Sequence, residues 1–542
     1  MRFTTPRWLF FWSMVGLAFS GGIILRTYMP DHGIYDITGY VIGRDFVNVW
    51  MASHLLAAGN IASAYDIHRY IAEMRQVLGA HFPFHNWSYP PTILPFLYPF
   101  SPLGYGPALA LWSLLGLVLY CTATRLKNFP HDRLLPWLLL ITSPAAIINL
   151  LSGQNGFFTA ACFIGGFSIL NRRPWLAGIL FGLLTIKPQL GIAIPFALLA
   201  LSQWRAIASA TLTTALLIAI SFTFWGLTPW HDYIANTLPY QQHLLDVFQG
   251  FYIAMMPGTF AAARLLGYSY NAAMCIHAAI AIAALALATT ITRREGASPR
   301  AILALAIASI LLTPYAYNYD LTAVAAALVL YLCATVEERA PVHILLGGLW
   351  ILPTAIYTLM FDSLPFGPLL LVATLTWLTW QSFYPRRDRV RILPFTPERA
   401  PYFDQFNRDW ITRFFWLEPF DETLLTQPRH SIIAPGGEIW FAEENGKVLG
   451  TCALIKSEDG IFEFSKLGLA PDAKGRGISR TLLHHCINRA RHRGAHTLRI
   501  FTHSSLKTAC DLYRAEGFRD VTIPEAERAR YQRADTLLLF TL

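Results

Sequence analysis

Charge is almost absent from the first 384 residues, and where it occurs it sits between long apolar runs. Residues 1–384 hold 18 Lys/Arg and 13 Asp/Glu, about 8% of that stretch, whereas residues 385–542 hold 24 and 20, about 28%. An ordinary soluble domain is about 25% charged. The first stretch therefore lacks the polar side chains to cover a soluble surface, and it reads as a membrane domain. The second reads as an ordinary soluble domain. Disorder, a fibrous protein and a single soluble enzyme are excluded at this step. The net charge of +9 divides as +5 and +4, too little in either part to imply nucleic acid.

A bilayer-spanning helix needs about 20 apolar residues. Candidate spans are 8–27, 93–123, 135–151, 157–171, 174–187, 189–203, 206–226, 270–291, 300–313, 320–336, 343–361 and 366–384. The expected fold is a polytopic α-helical membrane domain of about twelve spans, the shorter ones tilted or re-entrant, followed by an α+β domain. Arg2 and Arg7 precede an apolar run longer than a signal-peptide core, so the first run is read as an uncleaved span. The seven cysteines show no CxxC spacing, and neither a disulfide framework nor a metal site is expected.

Lys and Arg concentrate in cytoplasmic loops. With the N-terminus inside, the cytoplasmic segments carry 12 Lys/Arg (among them Arg125, Lys127, Arg133 and Arg339) against 4 acids. The outer ones carry 6 against 9. An even span count returns the C-terminal domain to the cytoplasm, after a short basic linker, 385–398, that contains Arg386, Arg387, Arg389 and Arg391. The expected location is a bacterial inner (plasma) membrane.

Polar detail collects on the outer face. A first outer loop of about 28–92 holds Arg44-Asp45-Phe46, a stretch 46–59 read as amphipathic, and Tyr89-Pro90-Pro91. Later turns hold Ser152-Gly153-Gln154-Asn155-Gly156, Lys187-Pro188-Gln189 and Pro314 to Asp320. Ionisable groups in such places suggest function. Transfer of a sugar from a polyprenyl phosphate to a hydroxyl needs one carboxylate to take the acceptor proton, because the phosphate leaves as a stable anion. Glycoside hydrolysis usually needs two. Asp45 fits the base, with Lys187, Arg264 and Arg44 as cations for the phosphate. The bland alternatives are that Asp45 caps the following helix, that Lys187 snorkels, that Gln154 and Asn155 close a tight turn, and that Asp320 pairs with Arg264 or caps the next span. Tyr89-Pro90-Pro91 reads as a rigid lead-in to the second span, and His32, His54, His68, His81 and His85 as interface residues.

These motifs, in this order over about 30–380, resemble the family 87 glycosyltransferases of the GT-C fold. That resemblance implies a mannosyl- or glucosyltransferase using a polyprenyl-phosphate sugar, with Asp45 as base, no metal, and Gln154, Asn155, Lys187 and Asp320 near the substrate.

In the soluble part, 439–455 reads as a hairpin turning at Asn445-Gly446 and 461–469 as a further strand. Helices are expected at about 480–493 and 506–516, with strands at 496–502, 519–522 and 535–541. Lys474-Gly475-Arg476-Gly477-Ile478-Ser479 is a Gly-rich turn from strand to helix, a device for binding a pyrophosphate. With Ala509 to Tyr513 and Gly517-Phe518, it is similar to the GNAT acetyltransferases over about 400–542. Lys474 and Ser479 are mild departures from the family motif, and Leu506 stands where many members have Asn. The likeness implies acetyl-CoA held at 474–479 and along the backbones of Leu467 and Leu469. It also implies Tyr513 as acid for the departing thiolate and Glu463 as base for an amine. A core Tyr and a structural Glu are the alternatives.

The expected organisation is a membrane glycosyltransferase-like domain (1–384), a linker (385–398) and a GNAT domain (399–542). Its expected partners are membrane lipids, the lipid-linked sugar donor, and an amine on a small molecule, lipid head group or protein. The competing readings are a GNAT enzyme on a non-catalytic membrane anchor, and a transporter with a cytosolic modifying domain.

Overall fold

A computed structural model describes residues 28–80, 82–83, 85–124, 134–247, 250–334, 340–359, 366–383, 390–444, 446–528 and 533–542, with isolated positions between 8 and 25. The expected first span, the 125–133 and 335–339 basic loops, Arg386, Arg387, Arg389, His81 and Asn445 lie partly or wholly outside these residues. The chain folds as two compact units, Met1–Phe383 and Tyr384–Leu542.

The first unit is helical, apart from a small hairpin of β1 (Pro30–His32) and β2 (Tyr35–Asp36). Among the described residues, three helices are long and apolar enough to cross a bilayer: Tyr105–Thr124, Trp204–Trp225 and Tyr270–Glu295. A fourth candidate, Leu135–Thr142 with Pro144–Ser152, is bent by 45° where Ser143 meets Pro144. Proline removes a helix donor and clashes with the preceding turn. Pro102 and Gly104 likewise divide the expected 93–123 span into short turns and one helix. The unit also holds seven shorter apolar helices of 10–17 residues. One of them, Pro299–Leu311, is buried from Ala301 to Leu311 on every side, as a helix at the centre of a bundle must be. Phe46–Ala57 corrects an expectation. It is not amphipathic but buried around most of its circumference, because Ile61–Tyr65 and Leu94–Leu97 pack on it. The amphipathic helix of this region is Ile67–Leu78, which buries only Tyr70 and Met74.

Within lipid, helices associate through close backbone approach rather than a hydrophobic drive. Pro174–Leu183 meets Trp204–Trp225 through Gly178 and Gly182. A Cβ at Gly178 would lie 2.4 Å from the Ala206 carbonyl oxygen, and one at Gly182 would lie 2.6 Å from the Thr213 Cβ.

The second unit is a mixed seven-stranded sheet. Its strands are β3 (Arg391–Pro394), β4 (Glu438–Glu444), β5 (Lys447–Glu458), β6 (Ile461–Leu469), β7 (Thr497–Thr502), β8 (Arg519–Val521) and β9 (Thr536–Thr541), in the order β3-β4-β5-β6-β7-β9-β8. Strand β3 falls inside the segment expected to be linker and pairs antiparallel with Trp440–Glu443. Helices Ala400–Phe414 and Ile478–His492 pack on β5 and β6. Strands β6 and β7 are parallel but pair only from Ile461 to Glu463 with Thr497 to Arg499. Lys466, at a left-handed φ of 52°, marks a bulge that bends β6 away.

A buried ion triad ties the layers together. Asp421, on Pro419–Thr426, pairs with Lys466 of the bulge and, at 2.7 Å, with Arg533. Burial alone would raise the Asp421 carboxyl, but the Lys466 charge and the Arg533 hydrogen bond outweigh it and hold the carboxyl below its ordinary range.

Two outcomes are expected. Gly178→Leu forces the two helices apart at a cost of at least about 1–3 kcal/mol. It should lower the thermal midpoint of the detergent-purified protein, whereas Ile179→Leu, at a 42% exposed position, should not. Asp421→Asn strands two cations and should cost about 3–5 kcal/mol at neutral pH. Because the folded pKa is depressed, this stabilisation is complete above the unfolded value of about 4 and is lost as pH falls through the folded one. Hydrogen exchange of residues 400–433 should therefore accelerate in wild type below about pH 4, and in the variant already at pH 7.

Candidate active sites

Asp45 stands at the N-terminus of Phe46–Ala57, yet its side chain makes no capping hydrogen bond to that helix. Its Oδ2 accepts instead from Gln154 Nε2 at 2.8 Å. Gln154 Oε1 in turn accepts from the Tyr89 hydroxyl at 3.1 Å. The contact depends on Gly153, the left-handed residue that ends Pro144–Ser152. A Cβ there would lie 2.5 Å from Phe46 Cβ and 2.7 Å from the Gly43 carbonyl oxygen. Only glycine lets the 152–154 turn close on residues 43–46 at that φ. The Asp45 N–H donates to the Ser152 carbonyl at 3.1 Å and completes the junction.

Lys187 sits between two short 3₁₀ turns, Leu184–Ile186 and Pro188–Gly191. It does not reach outward. It is 6% exposed, and its Nζ donates to Asp320 Oδ1 at 2.5 Å over the face of the Tyr319 ring. The other Asp320 oxygen accepts the Tyr317 N–H at 3.0 Å. Asp320 therefore both caps its turn and pairs with Lys187, not with Arg264. The 154–156 turn packs on the Tyr319–Asp320 turn, since a Cβ at Gly156 would lie 2.6 Å from the Tyr319 carbonyl oxygen. The Asp45–Gln154–Tyr89 and Lys187–Asp320 groups are thus held on adjoining turns. Asn155 is buried beside Gln154, and neither end of its amide has a hydrogen-bond partner among the described residues.

Two sequence-nominated cations are held away from this cluster. Arg44 pairs with buried Asp36 at 2.6 Å and donates to the Val41 carbonyl. The Arg264 guanidinium donates to the Tyr268 and Asp246 carbonyls. Tyr89, read from the sequence as rigid lead-in, is the residue that sequence reasoning missed. Its partner lies 65 positions away, and no local pattern announces the contact.

In the second unit the divergence of β6 from β7 opens a cavity of about 770 Å³. The β6 residues Glu463, Leu467 and Leu469 line one wall, and Tyr513 lines another. Gly475 and Gly477 adopt left-handed φ values of 73° and 76° ahead of Ile478–His492. That conformation turns successive backbone N–H groups toward one point at a helix N-terminus, an anion cradle. Lys474, Gly475, Gly477 and Ser479 line the cavity. Arg476 does not, because it pairs with Glu444 at 2.6 Å, and Ile478 is a core residue at 1% exposure. Arg480, which sequence reasoning passed over, lines the cavity and pairs with Glu516. Burial, with smaller contributions from Cys510 and Cys452, pushes the Tyr513 phenol up, so it carries its proton at neutral pH. Glu463 is 3% exposed. Among the described residues no group of three or more His, Cys, Asp or Glu is placed to hold a metal ion.

Residues 87–316 match the model of glycosyltransferase family 87, and residues 400–518 match that of the acetyltransferase (GNAT) family. Asp45 lies well before the first match and Asp320 just beyond its end, whereas Tyr89, Gln154, Asn155 and Lys187 fall within it. No curated protein matches the chain. Similar solved structures include a GNAT acetyltransferase from Staphylococcus aureus (17% identity, 28% of this chain and 99% of that one, TM-score 0.27). A GCN5-related N-acetyltransferase from Kribbella flavida aligns at 20% identity (29% and 99%, TM-score 0.25). A GNAT acetyltransferase from Elizabethkingia anophelis with acetyl-CoA bound aligns at 21% identity (29% and 100%, TM-score 0.22). By the two family matches the chain is a membrane protein that joins a family 87 glycosyltransferase region to a C-terminal GNAT acetyltransferase domain.

Proposed function

We propose that the first unit transfers a hexose from a polyprenyl-phosphate donor to a hydroxyl acceptor, with Asp45 as general base. The supporting observation is the neutral donor on Asp45. Gln154 donates a neutral amide N–H to the carboxylate and so orients it for a base's task. Asp45 takes the acceptor O–H proton, the acceptor oxygen bonds to the sugar's anomeric carbon, and the bond from that carbon to the phosphate oxygen breaks. Lys187 faces the departing phosphate, Asp320 holds Lys187 in place, and the Asn155 amide offers both a donor and an acceptor to the sugar. On this reading about twelve spans place the site on the outer face, and the domains divide at 384 and 398. Asp45→Asn should lower turnover of a polyprenyl-phosphate hexose by at least about 10³-fold and leave the protein folded. Unchanged turnover would refute the assignment of the base.

The second unit, on this proposal, transfers acetyl from acetyl-CoA to an amine. The left-handed Gly475 and Gly477 cradle, with Lys474, Ser479 and Arg480, suits the pyrophosphate, and the β6 backbone at Leu467 and Leu469, beyond the last pair with β7, suits the pantetheine arm. Glu463 takes one proton of the ammonium. The amine nitrogen then attacks the thioester carbon, the C–S bond breaks, Tyr513 protonates the leaving thiolate, and the remaining surplus nitrogen proton passes to the Tyr513 phenolate, which leaves a neutral amide. Tyr513→Phe should reduce acetyl transfer by about 10²-fold while calorimetric affinity for acetyl-CoA is unchanged. Loss of affinity instead would make Tyr513 a structural residue.

A further inference from the structure

We infer that the second unit seats on the surface of the bilayer through an aromatic lip, Phe414 and Trp416 with Arg413, at the mouth of its cavity. This docking is independent of the acetyl-transfer reading.

Among the described residues of the unit, four large apolar side chains are exposed: Tyr402, Phe414, Trp416 and Val521. Scattered singly, such residues are ordinary. The two most exposed, Phe414 at 55% and Trp416 at 61%, are rings two positions apart. Helix Ala400–Phe414 ends there, and Phe415 continues in extended backbone, at φ −150° and ψ −165°. Side chains alternate across such a backbone. Phe415 therefore turns in against the His503 ring and the Arg533 guanidinium, while Phe414 and Trp416 stand out. Arg413 and Phe414 also line the cavity, so the lip and the cavity mouth are continuous.

The lip is braced. The Trp416 carbonyl accepts from Arg533 at 2.6 Å, and Arg533 pairs in turn with buried Asp421. Arg413, itself exposed, holds its guanidinium 5.6 Å from the centre of the Phe414 ring. Clustered exposed rings mark an interaction surface. Rings beside a cation match a membrane interface, where Trp settles at head-group depth and Arg meets lipid phosphate. The exposed acid of the same helix, Asp409, lies about 6 Å back along it from Arg413.

The tether selects the bilayer as the occupant. Helix Phe366–Phe383 closes the first unit, and six residues, 384–389, precede the first described residue of the second. Fully extended, that connection reaches about 25 Å, less than the width of about 40 Å expected of a domain this size. So short a tether sets an effective concentration in the millimolar range, at which even a weak surface affinity is satisfied. Residues 386–391 hold four arginines against Asp388, a charge that anionic head groups attract. A soluble partner gains nothing from this tether.

The test uses the full-length protein in nanodiscs of phosphatidylcholine and phosphatidylglycerol. One residue at a time is replaced by p-benzoylphenylalanine, and adducts formed on illumination are read by mass spectrometry. Trp416→p-benzoylphenylalanine is the test. Its fold is kept, because the residue's carbonyl and not its ring holds Arg533. Val521, exposed on β8, is the negative control, and Leu114, exposed in mid-helix, is the position where lipid reacts. The expected lipid adduct at 416 is comparable with that at 114 and at least about tenfold above that at 521. Equal yields at 416 and 521 overturn the inference. So does a lipid adduct at 114 with none at 416, and so does capture at 416 of a second copy of the chain in place of lipid.

Discussion

The buried contact between Lys187 and Asp320 carries the architecture of the first unit's site. In an apolar interior either charge alone costs several kcal/mol, and the cost falls only when the two meet with their remaining bonds satisfied. Asp320 achieves this by taking Lys187 on one oxygen and a backbone N–H on the other. The pair joins segments 133 residues apart. It also brings Tyr319 under the ammonium, and Tyr319 in turn stacks on Tyr317. Without the pair, the helical break at 187 and the turn at 318–321 would each have to find water or another ion.

On the proposed functions, the two units pose opposite problems of protonation. A hydroxyl acceptor needs a carboxylate that stays a base, and Asp45 is held by a neutral amide rather than a cation. A departing thiolate needs a group that still has its proton, and burial keeps Tyr513 protonated. In each case the side chain's neighbours, more than its own identity, decide the direction of proton flow.

Much of this was legible from local pattern. Strand β6 and the turn into Ile478–His492 follow from alternation and glycine placement, and the charge contrast separates a membrane stretch from a soluble one. Asp45, Gln154, Lys187 and Asp320 could be nominated because polar groups in an apolar chain demand explanation. What could not be read is pairing at a distance. Nothing near Gln154 says that it meets Asp45 rather than closing its own turn. Nothing near Arg476 says that it turns to Glu444 and away from the cradle. Strand β3 reads as linker because four residues on a sheet edge carry too little alternation to stand out from a basic tether. The burial of Phe46–Ala57 depends on helices that its own sequence does not specify.

The sheet of the second unit is continuous in name only. Strands β6 and β7 share three residue pairs, and beyond Glu463 the backbone groups of the two strands face a gap rather than each other. Mechanically the domain is two half-sheets on a short hinge. One carries β3 to β6 and the helices packed on them, and the other carries β7, β9 and β8. Breathing of the domain should concentrate at that hinge. A ligand that bridges the gap with its own amide groups would act as a missing strand and weld the halves into one cooperative body, so occupancy would set the stiffness of the domain as well as its readiness to react.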